Sequence, residues 1–132
     1  MQTDEFKTAP VSQSAAETDQ PEMAVDLLRR VIVGLVRREG LALSTQQFGV
    51  FMACYMCPEA ASLRGLVQEL DLPRAVVARA LDKLAELELV RREPDPRDSR
   101  NQFLLHTEMG RKMVTDLHQM TEAAASDLGI TE

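Results

Sequence analysis

Seven side chains carry the chemistry this chain is equipped for: Ser62, Arg64, Arg74, Arg79, Lys83, Arg97 and Arg100. Their chemistry is that of recognition, not of bond making. Guanidinium and ammonium groups meet phosphates through charge-assisted hydrogen bonds, and the arginine fork also matches the paired acceptors on a guanine edge. Arg74, Arg79 and Lys83 project from the outer half of one short helical stretch, and Arg97 and Arg100 lie in the polar run DPRDSRN. A catalytic apparatus is not apparent: there is no glycine-rich phosphate loop, no nucleophile beside a base at a recognisable spacing and no cluster of metal ligands. The chain reads as a non-enzyme with no cofactor and no metal.

The elements that must hold these groups can be read from periodicity. Leu63, Leu66, Val67 and Leu70 recur at i, i+3, i+4 and i+7, the spacing of one buried helical stripe. Ser62 is placed to cap that helix. A turn at Asp71 and Leu72 leads to Pro73, suited to the first position of a second helix that runs to about Leu87. Val77, Ala80, Leu84 and Leu87 share its inner face. Residues 89–93 and 102–105 read as strands, with DPRDSRN as a charged turn between them. Two helices followed by a hairpin make a winged helix-turn-helix, so the fold class is mainly α with a small β-hairpin wing.

These residues resemble the multiple-antibiotic-resistance-regulator (MarR) family of bacterial transcription factors. The family's wing signature is matched by Asp98-Ser99-Arg100, five residues, then His106-Thr107, and Leu84, Leu89, Val90 and Arg92 fit its preceding pattern. Leu43 to Val50 is similar to its helix-opening leucine, hydroxyl residue and glutamine. The resemblance spans roughly residues 22–128 and is strongest over 43–111. It implies a homodimer that binds double-stranded DNA at a pseudo-palindromic operator, acts as a repressor, and is released by a small aromatic or apolar effector; a cytoplasmic location is expected separately, from the lack of an apolar span and of signal-peptide regions. It implies terminal dimerisation helices at about 22–39 and 107–128, Ser62 and Arg64 near backbone phosphates, and an Asp98–Arg100 pair shaping the wing. Four positions depart from the family: Val76 and Ala78 stand where it often has Thr and Ser, Glu88 where a glycine ends the second helix, and His106 where it has Leu. A glutamate at position 88 implies strain or a different turn.

Residues 1–21 are polar and are expected to form a flexible arm, within which a helix can form on dimerisation, leaving 22–132 as the winged-helix domain. A first helix is expected from Pro21 or Glu22 to Glu39, ended by Gly40, with a broad apolar face of Ala24, Leu27, Leu28, Val31, Ile32 and Leu35. A further helix is expected from Ser44 or Thr45 to Cys57, stopped by Pro58. Phe48, Met52, Tyr55 and Met56 line one side of it, as core packing or as the wall of an effector cleft. The last helix is expected from Thr107 to Asp127, ended by Gly129, with Met109, Met113, Leu117, Met120, Ala124 and Leu128 as an interhelical seam.

Cys54 and Cys57 fall three apart near the C-terminal end of their helix, where the dipole does not favour a thiolate. They are expected to be reduced core thiols, with a redox-sensing regulator as the alternative. A second alternative, a winged-helix protein-interaction module that does not bind DNA specifically, is suggested by the formal charge of −6. Against it, residues 62–112 hold ten of the fifteen Lys and Arg against nine acids, so positive charge gathers where recognition is expected. No window reaches the roughly 18 uncharged apolar residues of a membrane span.

Overall fold

Capping chemistry sets most of the helix boundaries. The structure is a computed structural model that describes residues 15–38 and 42–130. In chain order the elements are α1 (Ala15–Val36), α2 (Thr45–Met56), a 3-10 turn (Pro58–Ala60), α3 (Leu63–Leu70), α4 (Arg74–Glu86), β1 (Val90–Pro94), β2 (Gln102–His106) and α5 (Glu108–Asp127). Ser44 opens α2 through a reciprocal box: its hydroxyl accepts from the Gln47 N–H at 3.1 Å, and its own N–H donates to Gln47 Oε1 at 2.9 Å. Ser62 caps α3 by accepting from the Gly65 N–H at 2.9 Å, and Thr107 caps α5 by accepting from the Gly110 N–H at 2.9 Å. Pro73 is the cap residue of α4 and not its first helical residue; with φ −60° and ψ 146° it is extended, and the helix begins at Arg74.

The first helix departs most from expectation. It starts at Ala15, ahead of Pro21, and ends at Val36, before Glu39. The arm expected over residues 1–21 lies outside the described residues as far as position 14, and so does Gly40.

Two compact units form: Met1–Glu39 with His118–Glu132, and Gly40–Leu117. Within the first, Gly34 faces Met120 so closely that a Cβ would come within 2.8 Å of its terminal methyl, and Ala124 is buried. Asp26 pairs with Arg29 at 2.6 Å and Arg30 at 3.3 Å, and Arg30 stands 3.9 Å from Asp127. Val25, Leu28, Ile32 and Val36 stay exposed along α1, Val36 at 77%.

Within the second unit the core is built from Val50 and Phe51 of α2, Leu63 and Leu66 of α3, Val77, Leu81 and Leu84 of α4, and Leu89, Val90 and Leu104 around the hairpin. Leu81 is fully buried, an inner-face position the α4 stripe had not included. The hairpin is antiparallel with Val90 opposite His106 and Arg92 opposite Leu104. Ser62 bridges to Phe103 and the Leu104 N–H donates to Ala61 O at 3.0 Å, which ties the lead-in to α3 onto the free edge of β2.

Tyr55 is the joint of this unit. Its hydroxyl donates to Leu89 O at 2.6 Å and accepts from the Thr107 N–H at 3.0 Å. Its ring stacks on His106 at 4.0 Å and lies 4.8 Å from Phe51. Gly110 is required beside it, because a Cβ there would sit 1.8 Å from the tyrosine oxygen and 2.4 Å from Leu89 O.

Helices α4 and α5 end in the same motif. After α5, Gly129 takes φ 77°, its N–H donates to Ser126 O, and the Ile130 N–H donates to Ala125 O. After α4 the matching bonds run from Glu88 to Ala85 O and from Leu89 to Leu84 O, and Glu88 itself takes φ 63°. A left-handed glutamate costs about 1–2 kcal/mol, and glycine's greater backbone freedom returns part of that. Glu88→Gly should therefore stabilise the protein by about 0.5–1 kcal/mol and Glu88→Ala should not, as measured by denaturant unfolding of the two variants.

Candidate nucleic-acid interface

The site is assembled where the start of α4 meets the tip of the hairpin. Residues 95–101 contain two successive Asp-x-Arg turns. Asp95 Oδ1 accepts from the Arg97 N–H at 2.9 Å, and Asp98 Oδ1 accepts from the Arg100 N–H at 3.0 Å. Each arginine is thus presented at the same point of a repeated turn, and both are exposed. Asn101 closes the loop from inside: it is 4% exposed, its amide donates to Asp95 Oδ2 at 3.0 Å, and its Oδ1 accepts from the Arg64 N–H at 3.0 Å.

Charge reinforces the loop. Asp98 also accepts from the Arg64 guanidinium, and Arg74 donates to Arg100 O. The carboxyl of Asp98 is held below its ordinary 3.8 by the Arg100 N–H first and the Arg64 side chain second. That of Asp95 is lowered by the Arg97 N–H and then by the Asn101 amide. Both shifts survive an opposing contribution from burial.

Of the sequence-derived candidates, Arg79, Arg97 and Arg100 are exposed, Lys83 is half-buried, and none of the four has an ion pair among the described residues. Arg64 and Arg74 are exposed but engaged within the chain. Ser62 is spent on its cap. Asp98 meets Arg100 through the backbone N–H and through the charge of its guanidinium, and its side-chain hydrogen-bond partner is Arg64, which the start of α3 brings to the loop. Asp95 and Asn101 were not singled out from the sequence; the repeated Asp-x-Arg spacing was the available signal, and the burial of Asn101 was not legible.

The effector-wall candidates separate. Tyr55 has its hydroxyl consumed by the joint and its ring stacked, Phe48 and Met52 are half-buried, and Met56 is 60% exposed. His106 lies at the edge of the same cluster, with Nε2 3.2 Å from Cys54 O. The thiols sit in surroundings that oppose redox chemistry. Cys54 is 2% exposed and burial pushes it up to about 12; Cys57 is raised by burial and then by Glu69 and Glu59. Among the described residues no group of three His, Cys, Asp or Glu could hold a metal ion, and no helix is long and apolar enough to cross a membrane.

A family model described as MarR family matches residues 41–101, the segment that contains α2 to the wing tip. The winged-helix segment belongs to the MarR family. Solved MarR-type structures share the fold. A transcriptional regulator from Thermotoga maritima is 21% identical, with a TM-score of 0.67 over 88% of this chain and 82% of that one. CouR from Rhodococcus jostii RHA1, solved with p-coumaroyl-CoA, is 25% identical, with a TM-score of 0.56 over 86% and 78%. A MarR transcriptional regulator from Methanosarcina mazei Go1 is 24% identical with a TM-score of 0.56, and the match covers 69% of this chain and 65% of that one. A search of curated proteins found no significant match. The family and these structural relatives are transcriptional regulators and not enzymes.

Two outcomes follow from the wing and the thiols. The lowered Asp95 and Asp98 values mean that their contribution to wing order is complete above the ordinary carboxylate value of 3.8 and disappears as the pH falls through the lower folded values. Amide-exchange protection at Arg97 and Arg100 should fall in acid before that of the α4 core, and Asn101→Ala should show the same selective loss at neutral pH. In the second, a thiol reagent at pH 8 should label Cys57 slowly and Cys54 only on unfolding; rapid labelling of both would restore the redox-sensor reading.

Proposed function

We propose that this protein is a DNA-binding transcriptional regulator that acts as a repressor, binding a pseudo-palindromic operator as a homodimer. The observation that carries it is the joint presentation of Arg79, Lys83, Arg97 and Arg100 by α4 and the wing, with none of the four in an ion pair among the described residues. In this mode the outer residues of α4 enter a major groove, and a wing arginine enters the adjacent minor groove, where narrow A·T tracts deepen the negative potential. Two such surfaces related by a two-fold axis would meet half-sites one helical turn, about 34–36 Å, apart.

The homodimer reading is supported by the exposed row Val25, Leu28, Ile32 and Val36 on α1, which a solvated helix has no reason to display. An aromatic or apolar effector is supported by the structural likeness to CouR, whose structure holds p-coumaroyl-CoA. In this chain Phe48, Met52 and Met56 are the apolar side chains of α2 that retain exposed surface for such a ligand.

Titration of the full chain with labelled duplex from its own upstream region tests the reading. Arg79→Ala and Arg100→Ala should each weaken binding about tenfold to a hundredfold, the worth of one good base contact. Affinity should fall steeply between about 50 and 200 mM salt as condensed counterions are released. A flat salt response with both variants binding like the parent would refute it.

A further inference from the structure

The reading surface of α4 is bounded by burial across the helix and by charge along it. Val77, Ala80, Leu81 and Leu84 face inward and are buried. On the opposite side Ala75, Arg79, Asp82 and Glu86 fall within roughly 60° of one outward line at 3.6 residues per turn. The acids occupy the second half of that line, and Asp82 is held by Arg92 at 2.8 Å. Carboxylates repel phosphates, so base edges are met by the first turns, residues 74–79, the end through which recognition helices usually contact them, and Lys83 is left to the flanking backbone.

Hydrogen-bonding capacity in those turns is small. The Arg74 guanidinium donates to Arg100 O. Arg79 is exposed and has no ion pair among the described residues. Ala75 is exposed and Val76 and Ala78 are half-buried, and all three offer only methyl groups. Ala75 lies on the outward line and Val76 and Ala78 flank it on either side, so the surface beside Arg79 in these turns is largely hydrocarbon. The thymine C5-methyl is the apolar feature of the major-groove base edges; against it, methyl groups exclude water, whereas against a donor or acceptor they leave it unpaired.

We propose that Ala75, Val76 and Ala78 read thymines by apolar contact with their C5-methyl groups, with Arg79 supplying the hydrogen bonds, so that α4 selects half-sites containing A·T pairs. This rests on the DNA-binding reading above and adds what the site selects. A second observation points the same way: the repeated wing turns expose Arg97 and Arg100, the side chain suited to the narrow minor groove of A·T tracts.

The test selects duplexes from a random-sequence pool with the full chain, then remakes the selected duplex with deoxyuridine in place of thymidine. Uracil pairs like thymine and lacks only the methyl, and the minor-groove edge is identical, so wing contacts cancel. The Kd should rise about fourfold for each contacted methyl, the worth of one buried methyl-sized group. Val76→Ala should shrink the thymine-over-uracil ratio, whereas a folding defect would weaken binding to both duplexes alike and leave that ratio as it was. Equal affinity for the two duplexes overturns the inference and leaves DNA binding intact. A pool from which nothing is enriched overturns the DNA-binding reading, and the inference with it.

Discussion

A polar loop has no hydrophobic reason to keep one shape, and the wing keeps its shape through the buried amide of Asn101. That side chain spends its donor on Asp95 and its acceptor on the first turn of α3, so the hairpin tip and the helix-turn-helix become one rigid piece. The arrangement suits a low-dielectric pocket, where a satisfied amide holds position well and an unsatisfied one is costly. No buried side-chain nitrogen or oxygen among the described residues is left without a partner. The two Asp-x-Arg turns then use that anchored frame to aim Arg97 and Arg100 outward.

The same logic repeats at the other end of the hairpin, where one phenol does the joining. Tyr55 satisfies a carbonyl that leaves α4 and an N–H that opens α5, and Thr107 bonds Glu88 O at 2.8 Å from the other side. The left-handed glutamate is therefore held by the partners of its own backbone, and the strain at position 88 is compensated by the joint it helps to form. The hydroxyl of this aromatic side chain is thus engaged on both sides by backbone groups.

Arginines in the interface divide by what neutralises them. Arg64 and Arg74 serve the architecture: one meets the Asp98 carboxylate and the other a loop carbonyl. Arg79, Arg97 and Arg100 keep their charge toward solvent. A chain with a formal charge of −6 can thus present cations at the wing and the start of α4, because Asp95 and Asp98 are bonded within the wing and Asp82 and Glu86 lie on the far half of α4.

The sequence by itself determined the winged helix-turn-helix, most helix ends and the identity of the cationic groups. Those features are local: a stripe repeats every three or four residues, a cap acts within three, and an Asp-x-Arg-bearing turn spans a handful. Tertiary structure alone decided which arginines stay out of ion pairs, that Asp98 meets Arg64 across 34 positions in the chain, and that Tyr55 joins the end of α4 to the start of α5. Those outcomes depend on groups distant in sequence arriving at the same few ångströms, where burial and competition for hydrogen bonds choose among partners that spacing leaves equivalent.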